Sequence, residues 1–395
     1  MRGGMKVLLV GHIAGKNYGD DLIFDCTMRA LRLYLGRCIR FVLLVSKKSR
    51  VPWDDVEVCT YGSHIGRVIA SVRAVKDVEA VLVGGGGILQ DLFSPLRPAS
   101  YLLPGIVAAF VGGRFVCLNA VGYGPVRRGC ARRIIALACR RFHLLTARDH
   151  RSCNEIFRLT GRRVEMVADP ALLASFFYPQ FERGTPKNQL LCFVRQLKMT
   201  RNLARRIAEA VVTFCRSRPV SVVVSATQPS DIPAVKMVAE SMRSLGIKPA
   251  VRLPKDHHDL LRMVAESALI VSMFLHPIIV SFSYRRPAVG LVADRKINAF
   301  MEMVGLGGRC LMLRNLSSRQ LADLMQAAVV AGGGDEHVLQ EIQRTVLEHF
   351  ARLAAKIKNP PHRRTVSWND IIYTASLFTA GYISRRLQGR QVRVR

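Results

Sequence analysis

Short runs of consecutive apolar residues alternate along most of this chain with longer stretches in which apolar positions recur every three or four residues. In the first half the short runs are Met5–Val10, Ile39–Val45, Val56–Tyr61, Ala80–Val83, Phe115–Val121, His143–Ala147 and Val164–Ala168. Runs this short and this apolar predict strands buried on both faces of a parallel sheet. Between them the spacing predicts helices, one turning Ile23, Met28 and Leu31 inward, others over His64–Val75, near Tyr101–Phe110 and over Arg127–Arg141. Strands alternating with helices of this length predict βαβ units, with helices on both faces of the sheet.

The pattern breaks at Pro179–Asn188, a polar stretch with two prolines and a glycine that reads as a linker. A second alternating series follows, with strands at Leu190–Val194, Val220–Ser225, Ala268–Ser272 and Pro287–Val292, and a weaker one at Pro249–Arg252. Its helices include Asn202–Arg216 and Ala234–Leu245, and beyond Leu316 two helical segments run to about Lys358. The fold class read from this is α/β: two doubly wound Rossmann-like domains with a helical C-terminal extension. The expected boundaries are residues 1–178, a linker at 179–189, a second domain at 190–335 and a basic helical extension at 336–395. A further helix, Trp368–Leu387, is expected to pack back across the domains, with an interfacial membrane helix as its other reading.

Composition changes this picture in two ways. The net charge is +31, from 59 Lys and Arg against 28 Asp and Glu. The basic residues are scattered in pairs, and no helix-turn-helix, zinc-finger or RNP-like signature accompanies them, so dedicated nucleic-acid binding is not expected. An anionic ligand suits the charge, as does peripheral contact with an anionic membrane. The ten cysteines form no CxxC or CxxH cluster, and most lie inside apolar runs. They read as small buried hydrophobes in a reducing compartment, with no metal site. The apolar stretch Tyr101–Val121 is broken by Pro104 and Arg114 and reads as helix, turn and buried strand. A cytoplasmic location is expected, at the inner face of the membrane where peripheral contact occurs.

Candidate chemistry collects at strand ends, where ligands of doubly wound sheets bind. In VSMFLHPIIVSFSYRRPAVGLVADRKI, residues 271–297, one strand ends at Ser272 and His276 opens the next helix. The following strand ends near Asp294 and Lys296. The loop after the first strand contains Gly15-Lys16, but its glycine spacing is one residue short of a phosphate-binding loop and Asn17 stands where Ser or Thr is needed. It still has the makings of an anion site at a helix start. The fourth strand runs into Gly84–Gly87. Four glycines permit a sharp turn with close ligand approach or, equally, tight packing of a helix on the sheet. The pattern is not GxGxxG, and no dinucleotide is inferred.

Taken in order, several short motifs resemble the polysaccharide pyruvyl transferase family. They are Asn17-Tyr18-Gly19-Asp20-Asp21, Gly84–Gly87 with Asp91, Gly122-Tyr123-Gly124-Pro125, Ala147-Arg148-Asp149 with Ser152, Asp169-Pro170, Arg195 at a strand end, Ser272–His276, and Asp294 with Lys296 ahead of Phe300 and Gly305-Leu306. Together they cover about residues 5 to 310. Two doubly wound halves joined by one linker suggest a GT-B-like architecture, with the active site in the cleft between them. The resemblance implies transfer of the carboxyvinyl unit of phosphoenolpyruvate to a sugar of a cell-surface polysaccharide or its lipid-linked precursor, forming a pyruvate ketal. No cofactor is implied beyond phosphoenolpyruvate as donor substrate.

That chemistry needs cations for phosphate and carboxylate, a general acid for the methylene carbon and a base for the sugar hydroxyl. The resemblance assigns His276 as the general acid/base, by match to an Arg-x-His element, and Arg195 as the catalytic anion clamp. It places Asn17, Gly19, Asp20, Gly85, Gly86, Asp91 and Lys296 at the substrates, while Asp149 and Asp169 read equally as helix caps or loop braces. The arginine expected two residues before the histidine is Phe274 here, which donates nothing to an anion. Arg285 or Arg286 is the candidate replacement. Two other readings stand beside this one. One is a nucleotide-sugar glycosyltransferase, for which Glu266 is the only candidate donor-binding carboxylate. The other is a catalytically inactive binding or scaffold member of a polysaccharide assembly.

Overall fold

The computed structural model describes residues 4–15, 17–92, 94, 96–111, 114–182, 186–197, 199–293 and 295–360. Lys16, Asp294, the helix expected at Trp368–Leu387 and part of the expected linker lie outside the described residues. Contacts divide the chain into two units. The first comprises the described residues of Met1–Gly15, Ile23–Pro170 and Thr345–Arg395; the second comprises those of Lys16–Leu22 and Ala171–Arg344.

The first series runs β1 (Lys6–Val10), α1 (Tyr18–Leu35), β2 (Arg40–Ser46), β3 (Val56–Tyr61), α2 (His64–Lys76), β4 (Ala80–Leu89) and α3 (Arg97–Val111). It continues with β5 (Phe115–Tyr123), α4 (Gly129–Arg141), β6 (Leu144–Ala147), α5 (His150–Thr160) and β7 (Glu165–Met166). The seven strands are parallel, in the order β3-β2-β1-β4-β5-β6-β7. The strand order reverses between β1 and β4. Leu8, Val81, Val83, Val116 and Leu118 on the strands pack against Ala70 and Ala74 of α2, Leu102 and Ile106 of α3, and Ile134 and Ile135 of α4. Those three helices therefore form one layer on one face of the sheet.

The second series runs α6 (Ala174–Phe177), β8 (Lys187–Phe193), α7 (Arg201–Ser217), β9 (Ser221–Ser225), α8 (Ile232–Ser244), β10 (Ala250–Val251), α9 (His257–Ala265), β11 (Ser267–Ser272) and α10 (Leu275–Ser283). It ends with β12 (Ala288–Val292), α11 (Arg295–Met303), β13 (Cys310–Met312), α12 (Ser318–Ala331) and α13 (Glu336–Lys358). Its strands are also parallel, in the order β10-β9-β8-β11-β12-β13, so the order reverses between β8 and β11. Two doubly wound α/β units are thus present, as the periodicity predicts. β13 is an addition: its three residues open the short apolar run Cys310–Leu313 between Arg309 and Arg314, which the expected strands do not include.

The glycine run departs from expectation. Gly84–Gly87 do not form a turn after the strand; they lie inside β4, where Gly84 pairs with Asn119 and Gly86 with Val121 of β5. Gly84, Gly85 and Gly86 have φ of 159°, 81° and 75°, a backbone that side-chain-bearing residues rarely adopt. A Cβ on Gly84 would lie 2.0 Å from the Asn119 carbonyl oxygen, and one on Gly85 would lie 2.6 Å from Cγ2 of Ile23. The run lets a twisted strand pass under α1 without a side chain between them.

All ten cysteines are free, and half are buried. Burial pushes the thiols of Cys139 and Cys192 up to about 12, which keeps them protonated and inert at neutral pH. No described helix is long and apolar enough to cross a membrane.

α13 makes a buried polar contact with the first sheet. His349 of α13 is 1 % exposed, and its Nε2 lies 2.9 Å from Asn119 Oδ1 on β5. An Nε2–H tautomer donates that bond. Burial, with Arg352 nearby, lowers the His349 pKa to about 3. The folded chain therefore holds this ring neutral, while the unfolded chain protonates it near pH 6.5. Its stabilising contribution is complete above that value and is lost as pH falls from about 6.5 towards 3. We expect His349 to cost the fold roughly 2 kcal/mol on going from pH 7.5 to pH 5. Thermal denaturation of the wild type and of His349→Gln at both values measures it: the variant's loss should be smaller by about that amount.

Candidate active site

The second sheet offers the setting that open α/β sheets use for ligands, the carboxyl ends of two strands that diverge into opposite crossovers. β8 and β11 are those strands. Phe193 is in register with Ser272. The Met273 N–H donates to the Phe193 carbonyl at 2.9 Å, and the Arg195 N–H points at Met273 Sδ at 3.4 Å. The chain after β11 is folded tightly by Ser272, whose Oγ accepts from the Phe274 N–H and donates to the Phe274 carbonyl, both at 2.9 Å. α10 then begins at Leu275, with no side-chain cap from Phe274. His276 falls in its first turn and is 9 % exposed.

The segment after β1 is brought to this point. The Tyr18 N–H donates to the Thr227 carbonyl beyond β9 at 3.4 Å. The Asn17 carbonyl accepts from the N–H groups of Asp20 and Asp21, and its Nδ2 donates to Asp20 Oδ2 at 2.6 Å. One Asp20 oxygen is thereby fixed, and the other, Oδ1, stands 4.0 Å from His276 Nε2. That is ion-pair distance for a protonated ring and too long for a direct hydrogen bond. Gly19 explains why the two segments can be this close. A Cβ there would sit 2.1 Å from His276 Nδ1 and 2.4 Å from Cγ. The imidazole lies against bare backbone at the start of α1.

Arg195 leaves the end of β8 half-buried, with its guanidinium carbon 5.7 Å from the centre of the Phe274 ring. The phenylalanine that occupies the expected arginine position thus forms a cation–π contact with the remaining arginine. Neither candidate replacement is available. Arg285 binds Glu182 at 3.1 Å and also pairs with Glu336, while Arg286 donates Nε–H to the Ala265 carbonyl at 2.7 Å. Burial lowers the Arg286 pKa, a further sign of a structural position. Lys296, half-buried, stands in the first turn of α11, one strand further along the sheet, and Asp294 lies outside the described residues.

Sequence reading missed three groups here. Ser225 Oγ, Thr227 Oγ1 and Asp231 Oδ2 are buried and have no hydrogen-bond partner among the described residues, and the same holds for Asn17 Oδ1. The other Asp231 oxygen accepts from the Gln196 N–H at 2.8 Å, which places it beside the Arg195 loop. Buried polar atoms of this kind ordinarily find a partner. The cue in the sequence was only that all three follow or end a strand of the second series.

A family model for polysaccharide pyruvyl transferases matches residues 17–295, from the Asn17 segment to the first residue of the helix that follows β12. The chain belongs to the polysaccharide pyruvyl transferase family. No curated protein sequence matches it significantly.

Solved structures agree on a GT-B fold built from two Rossmann-like units. A putative UDP-N-acetylglucosamine 2-epimerase from Listeria monocytogenes is similar at TM-score 0.57 and 10% identity, over 92% of this chain and 99% of the other. The UDP-GlcNAc 2-epimerase of Neisseria meningitidis gives 0.57 and 11%, over 90% and 99%. Anabaena Alr3699/HepE in complex with UDP and glucose gives 0.52 and 11%, over 98% and 99%.

The family motifs of the first unit serve structure on the geometry seen here. Arg148 is 7 % exposed, 3.5 Å from Asp169 and 3.6 Å from Asp149, and packs where a Cβ on Gly122 would stand. Asp149 caps α5 by accepting from the Ser152 N–H at 2.7 Å. Asp91 is 1 % exposed, and its carboxylate accepts from the N–H groups of Arg127 and Arg128 at 2.7 to 3.0 Å. Gly85 and Gly86 are buried in β4.

The Gly19 contact yields a sharp expectation. Gly19→Ala inserts a methyl into space the His276 side chain occupies, 2.1 Å from Nδ1 and 2.6 Å from Cβ, so the ring itself has to move. Tm should fall by several degrees, and the His276 ring resonances should shift in NMR spectra. An unshifted His276 signal in a folded Gly19→Ala protein would rule out the contact.

Proposed function

We propose that this protein transfers the carboxyvinyl unit of phosphoenolpyruvate to a sugar of a cell-surface polysaccharide or its lipid-linked precursor, forming a pyruvate ketal, in the cytoplasm. The observation that carries the proposal is the placement of His276 against Gly19 and facing Asp20 at the strand-order reversal of the second sheet. Family membership supplies the reaction class.

The chemistry then distributes as follows. His276 delivers a proton to the methylene carbon, which makes C2 electrophilic. A sugar hydroxyl adds to C2, and its proton passes to the base. Phosphate departs with its bonding electrons, and a second hydroxyl adds to C2 to close the ketal, its proton leaving with phosphate. Asp20, held by Asn17, orients the imidazole and offsets positive charge at C2. Arg195 binds the carboxylate or phosphate of the donor, with Lys296 as a second cation. The acceptor oxygens of Asn17, Thr227 and Asp231 suit sugar hydroxyls.

Phe274 favours a second reading, a binding member without catalysis, because the expected guanidinium is absent. Calorimetry and phosphate release separate the two. The transferase reading expects phosphoenolpyruvate to bind and phosphate to appear when lipid-linked sugar extract is added, with His276→Ala lowering that release at least a hundredfold. A folded sample that fails to bind phosphoenolpyruvate sinks the transferase reading. Binding without phosphate release supports the second one. Tighter binding of a nucleotide sugar than of phosphoenolpyruvate would move the assignment to a glycosyltransferase.

The Arg195–Phe274 contact has its own expectation. Phe274→Ala frees the guanidinium without removing it, so KM for phosphoenolpyruvate should rise about three- to tenfold with a smaller change in kcat. Steady-state kinetics read the split, and an unchanged KM would remove Phe274 from the donor site.

A further inference from the structure

α2 presents an apolar stripe to solvent. Ile65, Val68, Ile69 and Val72 are 75 %, 44 %, 48 % and 39 % exposed, and the separations of three (65/68, 69/72) and four (65/69, 68/72) set them on one side of the helix. The opposite side already does its work in the core, through Ala70, Ala74 and Val75. The stripe is therefore surplus to the fold of this unit. Contiguous exposed apolar surface of this kind marks an interaction site.

Charge decides the partner. Arg73 and Lys76 are exposed on α2 at the end of the stripe. α3 lies beside α2, and α4 lies beside α3 in the same helical layer. α4 buries Ala131, Ile134, Ile135, Ala138 and Cys139 and exposes Arg132, Arg133 and Arg140. The outward side of this layer thus combines aliphatic side chains on one helix with arginines on its second neighbour. Two copies of this surface would repel each other, and the whole chain carries +31. An anionic lipid surface satisfies both halves. Aliphatic side chains enter the headgroup–acyl boundary, while arginines bind headgroup phosphates within a Debye length of the membrane.

We propose that the outer face of the α2–α3–α4 layer docks the protein peripherally on anionic membranes, with Ile65, Val68, Ile69 and Val72 as the inserting stripe. The surface lies in the first unit and needs no residue assigned to the reaction, so it stands whether or not the transferase assignment does.

Flotation of the full-length protein with vesicles of phosphatidylglycerol and phosphatidylcholine, against phosphatidylcholine alone, tests it. The wild type should float with the anionic vesicles and not with the neutral ones. Ile65→Ser combined with Ile69→Ser, at positions already exposed, should leave Tm and phosphoenolpyruvate binding unchanged and weaken vesicle binding at least tenfold. Arg132→Gln with Arg133→Gln should also weaken it and flatten its dependence on salt. Undiminished flotation of the Ile65/Ile69 variant overturns the proposal. So does light scattering that shows a wild-type dimer and a monomeric Ile65/Ile69 variant, since a second copy would then cover the stripe.

Discussion

The close approach of bare backbone at Gly19 to the His276 imidazole is the constraint around which the second unit's chemistry is arranged. The ring cannot be there unless position 19 lacks a Cβ. With the ring there, the first turn of α1 delivers Asp20 to within 4.0 Å of Nε2. Asn17 performs three tasks in the same few ångströms: it caps α1 through its carbonyl, fixes Asp20 through its amide, and leaves a buried acceptor oxygen. The Tyr18 N–H bond to the Thr227 carbonyl sets the segment against the end of β9. A histidine positioned by packing, with a carboxylate whose other oxygen is already committed, has little rotational freedom left. General acid–base groups need such preorganisation.

Phe274, in place of the arginine the family resemblance leads one to expect, changes the surroundings of Arg195. The phenyl ring brings no charge, but it lies by the guanidinium of Arg195. An arginine at 274 would place a like charge beside Arg195 and would need an anion to hold the two together. Phe274 removes that repulsion and gives Arg195 a fixed resting surface, at the cost of one fork of donors. Arg285 and Arg286 do not replace the lost fork: they follow α10 and precede β12, at the amino end of the parallel strands, where Glu182, Glu336 and the Ala265 carbonyl bind them.

Several motif residues of the first unit make close structural contacts. Asp91 holds two consecutive backbone N–H groups at the entry to α4, Arg148 joins two carboxylates in a buried cluster, and the glycines of β4 allow α1 to pack directly on the strand. The outer side of the same unit is unlike an ordinary solvated helical layer. Its aliphatic stripe lies on α2, and its exposed basic residues lie at the end of that helix and on α4.

The alternation of short apolar runs and helical spacing determined two doubly wound sheets, nearly every strand, and the position of His276 and Arg195 after strand ends, because burial on both sheet faces demands those patterns. The order of motifs determined the family. Tertiary structure alone decided the rest, since it depends on which segments meet. The β4 glycines look like a turn in sequence, yet they continue a strand, because only the facing Asn119 and Ile23 show that a side chain has no room. Asp91 and Asp20 are each an aspartate after a strand; one is consumed by backbone N–H groups and the other faces a histidine. Ser225, Thr227 and Asp231 carry no motif, and only burial sets them apart. The stripe on α2 could be read from its spacing as a second core face, and exposure alone shows that it points outward. Sequence periodicity reports that a face is apolar; what covers that face is a property of the folded chain.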